Sequence, residues 1–238
     1  MRVQSILFGL LLVVLLAVHV QAEALPLAYR FPAGSTFQEA LVSHASPPMG
    51  GPLDTNMKTR STVKSADGAG MRLEHDVTMT QTGASTIHVT LQCHVSPEGQ
   101  VTDVTGVDWN DPDQALVARN VAAGYSKLPN AVVQVGATWE EEKPFYLPKS
   151  SVPGVPSMVR VRSTYTVTAL TDGPVPTATL AIKSKESPGQ SAKIDATGTL
   201  VLDAATGRTV KSHVDGTLTV KVVFSQVKVP FTADITPY

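Results

Sequence analysis

Residues 71–80 read MRLEHDVTMT and residues 86–95 read TIHVTLQCHV, and these two stretches have the clearest structural pattern in the chain. In both, the odd-numbered side chains are mostly apolar and the even-numbered ones mostly polar. Successive side chains of a β-strand point to opposite faces of the sheet, so this period of two predicts two strands with one apolar and one solvated face. The intervening Gln81–Ser85 has the size of a hairpin loop, so we expect the strands to pair antiparallel.

The same pattern predicts the register of the pairing, because a shift of one residue would move every side chain to the opposite face. The register that brings the apolar side chains together places Leu73 opposite Cys93 and His75 opposite Leu91. The same reasoning adds residues 57–65 as a third strand. We therefore predict a three-stranded antiparallel meander.

The longest alternating run, Val210–Phe224, predicts a tall sheet. At about 3.3 Å per residue it would span roughly 50 Å, and a sheet of that height is expected to twist and coil. The alternation continues through Gly216, which favours one continuous strand bent at this glycine over a hairpin turn there. A final strand is expected over Val227–Ile235.

One segment follows the spacing of a helix instead. Asp111 can cap it, Pro112 occupies the first helical position, and Gln114 completes a capping box. Apolar side chains then recur at helical spacing, at Val117, Val121 and Leu128. We expect one main helix over residues 112–127. The predicted fold class is mainly β, with a tall, curved, half-barrel-like antiparallel sheet and the helix against its concave face.

The second half of the chain resembles the first. Arg60-Ser61-Thr62 recurs as Arg162-Ser163-Thr164, each time inside a Thr-rich alternating strand that precedes an Asp-Gly turn. This leaves two interpretations open, a duplicated β-unit or a chance match of short β-patterns. The predicted organisation is a signal peptide over 1–22, a first β-unit with the helix over 25–147, a Pro-rich connector over 148–156 and a second β-unit over 157–238, the two units packing as one domain.

The first residues have the pattern of a secretory signal peptide. Arg2 supplies the positive start, Ile6–Val18 forms the apolar core, and small residues allow cleavage after Ala22 or Ala24. The apolar run is shorter than the roughly 20 residues of a membrane-spanning helix. We therefore expect an exported protein, periplasmic or extracellular, with no transmembrane segment after cleavage.

Composition narrows the partners further. The formal net charge is −1, and nucleic-acid binding would require a clustered basic face, so we expect no nucleic-acid partner. The single cysteine, Cys93, cannot form an internal disulfide. It is either buried or half of an intermolecular disulfide, and its place on the apolar face of a strand favours burial.

The histidines near Cys93 raise the question of a catalytic or metal site. His88 and His94 share a face but lie about 20 Å apart along a strand, too far to share a zinc ion. His75 and Cys93 are close enough to meet, and a thiol beside an imidazole is a candidate nucleophile pair. Nothing in the sequence supplies an orienting third group or an oxyanion hole, so we expect both to be buried structural residues.

Three further motifs are weaker. Ser61–Lys64 matches the S-x-x-K pattern of penicillin-binding enzymes, but it lies on a predicted strand and not at a helix start. Asp108–Asp113 is rich in oxygen ligands, yet Pro112 breaks the calcium-loop pattern. Glu140–Glu142 is typical of a solvated edge. We assign no catalytic, cofactor-binding or metal-binding residue and expect no cofactor.

Several segments together resemble a bacterial exported all-β domain family of unknown function. They are an early strand over Leu27–Gly34, the helix end at Leu128-Pro129, the following Val135–Trp139, and Asp203–Arg208 before the last strands. The resemblance covers most of the chain after the signal and implies no catalytic residues. By analogy of architecture alone, the predicted fold is similar to half-barrel carriers of lipids and lipoproteins, which hold acyl chains in their concave face.

The expected function is that of an exported, non-catalytic binding protein that holds an apolar small molecule or lipid between sheet and helix. The abundance of Met, Val and Leu on the inward-facing positions, with few aromatic residues to fill a closed core, favours this interpretation. The alternative is a structural or protein-interaction module of the cell envelope, with an envelope protein as partner. An enzyme is not expected.

Overall fold

The computed structural model describes residues 24–48, 51–146, 157–190, 192–222 and 225–238. The predicted signal peptide over residues 1–22 and the predicted connector over 148–156 lie outside the described residues.

The described residues form thirteen β-strands and one α-helix. In chain order these are β1 (Leu25–Leu27), β2 (Thr36–Ala45), β3 (Leu53–Asp67), β4 (Gly70–Gln81), β5 (Ile87–Val95), β6 (Val101–Thr105), α1 (Pro112–Gly124), β7 (Ala131–Val133), β8 (Thr138–Tyr146), β9 (Met158–Thr171), β10 (Thr177–Glu186), β11 (Ala192–Asp203), β12 (Thr209–Val222) and β13 (Ser225–Pro237).

Eleven of these strands form one antiparallel sheet in the order β6-β5-β4-β3-β2-β13-β12-β11-β10-β9-β8. The strands of the first half therefore lie on one side of β13 and those of the second half on the other. β6 and β8 are the edges and do not pair with each other, so the described sheet stays open, while β1 and β7 form a separate pair. The predicted fold class, mainly β with a large antiparallel sheet and one helix, is confirmed.

The predicted register of the meander is also confirmed. Leu73 lies opposite Cys93 and His75 opposite Leu91 in the β4–β5 pair, and Val63 lies opposite Leu73 in the β3–β4 pair. This follows from the parity of the apolar side chains, since all of the residues named here are buried.

β12 is one continuous strand through Gly216, as predicted. A side chain at Gly216 would meet the ring of Phe231 on the neighbouring β13, with a Cβ only 2.6 Å from a ring carbon. Because glycine has no side chain, the ring of Phe231 can occupy this space. β13 is longer than predicted at both ends, because Ser225 and Gln226 pair with β12 and Thr236 and Pro237 pair with β2.

One predicted strand is mostly absent, and the predicted helix ends three residues earlier than expected. The early strand expected over Leu27–Gly34 is limited to β1, because the amides of Tyr29 and Arg30 donate to turn carbonyls and not to a neighbouring strand. The helix ends at Gly124 and not at residue 127. There the chain turns extended so that the amide of Leu128 donates to a carbonyl in the β5–β6 turn.

Backbone hydrogen bonds repeat between the two halves of the sheet. The amide of Gly34 donates to the carbonyl of Val63, and the amide of Gly136 donates to that of Val167. A register shift follows each valine in the pairing with the next strand. The backbone thus aligns Val63 with Val167, two residues away from the match between the two Arg-Ser-Thr motifs.

The core lies on the inner face of the sheet and joins both halves. Leu73 and Val95 of the first half and Leu180 and Leu202 of the second belong to one buried cluster. The β1–β7 pair packs on this cluster at the end of the sheet that holds the β3–β4 and β11–β12 turns, which we call the capped end. α1 packs between β5 and β8 on the inner face.

The β11–β12 turn at the capped end provides a test of this packing. Gly207 has a φ of +76°, and an added Cβ would lie 2.7 Å from the carbonyl oxygen of Ala28. Gly189 has a similar φ of +82° with no atom within 4 Å of such a Cβ. Because strain adds to the contact, we expect Gly207→Ala to lower the free energy of unfolding by about 2–4 kcal/mol and Gly189→Ala by about 1 kcal/mol. Denaturant titration measures both, and equal losses would contradict the packing.

Candidate functional site

A cleft lies between α1 and the inner face of the sheet. It is lined by apolar side chains from β2, β3, β13, α1 and the segment after β1, namely Phe31, Phe37, Leu41, Met57, Val121 and Ile235. The free volume inside the cleft is about 90 Å³. The helix does not fill the concave face, so a largely apolar, partly open space remains beside it.

Two oppositely charged residues face this apolar space. Glu39 lies on the inner parity of β2, between Phe37 and Leu41, and Arg208 lies at the end of the β11–β12 turn. The turn holds Arg208 firmly, because its carbonyl accepts from the amide of Asp203 and its amide donates to a turn side chain.

Neither charge has a close partner among the described residues. Nε of Arg208 is buried and makes no hydrogen bond. Arg208 and Glu39 form no ion pair within 4.0 Å, although their charges attract across the cleft. Both residues are half-buried, and burying a charge without a hydrogen-bonded counter-charge carries a free-energy cost.

Burial changes the ionisation of Glu39. Removal from water raises its pKa from 4.5 to about 7, while the positive charge of Arg208 acts in the opposite direction. Near neutral pH the carboxyl is therefore protonated in a large part of the molecules, and it can then donate a hydrogen bond.

The wall of the cleft contains a buried chain of polar side chains. The hydroxyl of Ser61 lies 2.8 Å from Nδ1 of His75, and Nε2 of His75 lies 3.4 Å from the sulfur of Cys93. All three are buried on the inner face. The prediction that His75 and Cys93 lie close together is correct, but the hydrogen bond between His75 and Ser61 was not predicted.

The ionisation of this chain does not suit nucleophilic catalysis. Burial lowers the pKa of His75 to about 4 and raises the pKa of the Cys93 thiol to about 12, so both are uncharged at neutral pH. A reactive thiol needs the opposite, a lowered pKa and access to solvent. Because His75 is held neutral, the stability it contributes is present above pH 6.5 and is lost as the pH falls towards 4.

Two tyrosines close the cleft beside the capped end. The rings of Tyr29 and Tyr125 meet edge to face with centroids 5.3 Å apart, and Tyr29 Oη donates to the carbonyl of Ser126. Burial raises the pKa of both phenols well above 10, so both stay uncharged. They form an apolar cover with neutral hydroxyl groups.

The other residues singled out from sequence lie elsewhere. His88 contacts Thr78 on the outer face, and Lys64 is exposed and pairs with Glu74, away from the buried Ser61. Asp111 caps α1 by accepting from the amides of its second and third residues, as predicted. The capping box itself is not formed, because Oε1 of Gln114 accepts from the amide of Asp108 and the amide of Asp111 donates to the carbonyl of Asp108. His94 also lies on the outer parity of β5.

The interpretation of Glu140–Glu142 as a solvated edge is wrong for the middle residue. Glu140 and Glu142 are exposed, but Glu141 points inward. Its carboxylate accepts from the hydroxyl of Tyr165 at 2.9 Å and pairs with Lys143 at 3.2 Å. The alternation of β8 places Glu141 on the same side as Trp139, which is the signal that sequence reasoning overlooked.

Two features are absent from the described ranges. They contain no group of three or more histidine, cysteine or acidic side chains arranged to hold a metal ion. Nor do they contain a helix long and apolar enough to cross a membrane.

Glu39 gives a testable pH dependence. Its pKa is higher in the folded protein than the 4.5 of the unfolded chain, so between pH 4.5 and 7 the folded state binds more protons and stability falls as the pH rises. We expect Glu39→Gln to match the wild type near pH 4.5 and to exceed its free energy of unfolding by about 1–3 kcal/mol at pH 8. Glu140→Gln, at an exposed position, should show no such growing difference. Urea titrations across this pH range measure it, and a difference that shrinks with pH would contradict the assignment.

Cys93 provides a test of the non-catalytic reading of the buried chain. Because its thiol is buried and its pKa is raised, we expect iodoacetamide at pH 8 to modify it at least about 100-fold more slowly in the folded protein than in guanidinium. Mass spectrometry of the alkylated protein gives both rates. Equal rates would mean an accessible thiolate and would reopen the nucleophile hypothesis.

No family model matches the sequence, and no curated protein matches it. Among solved structures, the chain is similar to a structure of lipid–protein interactions in lipovitellin, at 9% identity and a TM-score of 0.50. The match covers 88% of this chain and 25% of the lipovitellin chain, so this chain spans about a quarter of that protein. A second match, DynF from the dynemicin biosynthesis pathway of Micromonospora chersina, covers 93% of this chain and 88% of DynF at 8% identity, and its TM-score of 0.20 supports no argument. The first similarity shows the fold alone.

Proposed function

We propose that this protein is an exported, non-catalytic binding protein that holds an apolar small molecule or lipid in the cleft between α1 and the sheet. The observation that carries the proposal is the cleft itself, which apolar side chains from four elements and the segment after β1 line on the concave face. Ligand sites are typically concave and mostly apolar, with a few placed polar groups, and this cleft has that composition.

The chemistry of the cleft supports binding over turnover. The chain through Ser61, His75 and Cys93 is uncharged and closed off from solvent. The second polar group consists of Glu39 and Arg208. Among the described residues, neither of these side chains is hydrogen-bonded to a nucleophile. Reaction would require a nucleophile and a base in hydrogen-bond contact at an accessible place.

The fold similarity supports the same class of ligand by analogy only. The lipovitellin structure concerns lipid–protein interactions, and its match to this chain is at the level of architecture. An open antiparallel sheet with an uncovered apolar inner face is suited to hold apolar chains, but a fold alone does not establish a function. Export to the periplasm or the cell exterior rests on the signal-like first residues.

The alternative, an envelope module that pairs through a sheet edge, has less support. The edge strand β8 carries Glu140, Glu142 and Pro144, and charges and proline on an edge strand are typical of edges that avoid pairing. The opposite edge, β6, is only five residues long. Neither described edge offers a long apolar surface to a partner strand.

A pair of tryptophan variants tests the proposal. Leu41 lines the cleft, and its neighbour Val42 is 47% exposed on the other face of β2. We expect the neutral probe N-phenyl-1-naphthylamine to fluoresce on binding to the full chain, and Leu41→Trp to weaken that binding at least about 10-fold by filling the cleft. Val42→Trp should leave it unchanged.

The fluorescence titration is read beside the thermal midpoint of each variant, so that loss of the fold is not mistaken for loss of the site. Absence of probe binding to the wild type, or equal binding by the folded Leu41→Trp variant, would overturn the proposal. Mass spectrometry of material that co-purifies without detergent identifies the natural ligand.

A further inference from the structure

We propose that the ligand carries a carboxylate head group and an apolar tail, and that the carboxylate binds Arg208 while the tail lies along the cleft. This inference rests on the proposed function and goes beyond it, because it names the chemical class of the ligand and the residue that selects it.

The charge of Arg208 has no close counter-charge among the described residues. Its Nε is buried without a hydrogen bond, and no carboxylate of the described residues lies within 4.0 Å of its guanidinium. A guanidinium cannot lose its proton at physiological pH, so an anion that accepts from the buried Nε would offset the cost of its burial. A planar carboxylate fits it well, since the two oxygens can accept parallel hydrogen bonds from the guanidinium.

The ionisable groups around Arg208 leave its positive charge largely unbalanced. The titratable side chains that line the cleft beside Arg208 are Glu39, His75, Tyr29 and Tyr125. Burial keeps the imidazole and both phenols neutral, and it raises the pKa of Glu39 to about 7. Below pH 7, where Glu39 is mostly protonated, the cleft therefore has one unbalanced positive charge, that of Arg208, which one carboxylate balances. A protonated Glu39 can donate a further hydrogen bond to the same head group.

The cleft is charged towards the capped end and apolar further away from it. Arg208 precedes β12 in a turn that packs on the segment after β1, so it lies at the capped end. Along β2 the inward side chains run from Phe37 through Glu39 to Leu41, away from that end. Met57 lies opposite Leu41 and continues the apolar part. A ligand with one charged end and an apolar remainder matches this order.

The experiment compares dodecanoate with 1-dodecanol, which share a chain length and differ in the head group. Each displaces N-phenyl-1-naphthylamine from the wild type and from Arg208→Gln. We expect dodecanoate to bind the wild type more tightly than the alcohol does, and Arg208→Gln to weaken dodecanoate at least about 10-fold while changing the alcohol less than about 3-fold. Arg60→Gln, on the exposed outer face of β3, serves as the matched control and should change neither.

The outcomes separate this inference from the proposed function. If the alcohol binds and dodecanoate binds no better, or if Arg208→Gln weakens both equally, the head-group assignment fails and the apolar binding site stands. If the probe itself does not bind, the proposed function fails. Probe binding that neither ligand displaces also overturns the assignment.

A second variant keeps the test decisive if Arg208→Gln does not fold. Glu39→Gln removes the carboxylate that competes for Arg208 at pH 8 and keeps a hydrogen-bond donor. We expect it to tighten dodecanoate binding at least about 3-fold at this pH and to leave the alcohol unchanged. Weaker dodecanoate binding by this variant would contradict the inference.

Discussion

An antiparallel sheet that buries one face without closing on itself must cover that face with other parts of the chain. Here β6 and β8 remain unpaired edges, so the inner faces of eleven strands depend on the β1–β7 pair and on α1 for cover. The pair covers the capped end and joins both halves into one core. The helix packs against β5, which lies next to one edge of the sheet, and against β8, which is the other edge, and because it is one short element, a cleft remains between it and the central strands β2, β3 and β13. The candidate site thus follows from the incomplete cover of the sheet.

The period-two alternation that builds the sheet also decides the chemistry of the cleft. Polar side chains on the inward parity are carried towards the apolar interior, and burial there shifts the pKa values of Glu39, His75 and Cys93. Ser61, His75 and Cys93 satisfy one another and stay neutral. Glu39 has no such partner among the described residues, and its protonation is the cheaper alternative to a buried negative charge. The same strand geometry therefore produces a neutral buried chain that begins at Ser61 on β3 and a titrating group, Glu39, on the neighbouring β2.

The sequence predicted what depends on local pattern and missed what depends on distant contacts. Strand registers followed from parity, and the start of α1 followed from Asp111 as the N-cap and Pro112 as the first helical residue. The end of α1 was missed because it depends on the bond from Leu128 to Glu98, which no local signal reveals. Glu39 could have been found, since it interrupts the apolar parity of β2. Arg208 could not, because the packing of its turn directs it into the cleft.

The fold retains an uncompensated charge where an apolar side chain would cost less. Replacing buried charged groups with apolar ones is often neutral or stabilising, so their presence calls for a reason other than stability. Arg208 and Glu39 do not form a close ion pair, and the attraction between them leaves both incompletely satisfied. A bound anion would accept hydrogen bonds from Arg208 and from the protonated carboxyl of Glu39. Such an anion would also stabilise the folded state by mass action, so the groups that weaken the empty protein are the ones through which a ligand would strengthen it.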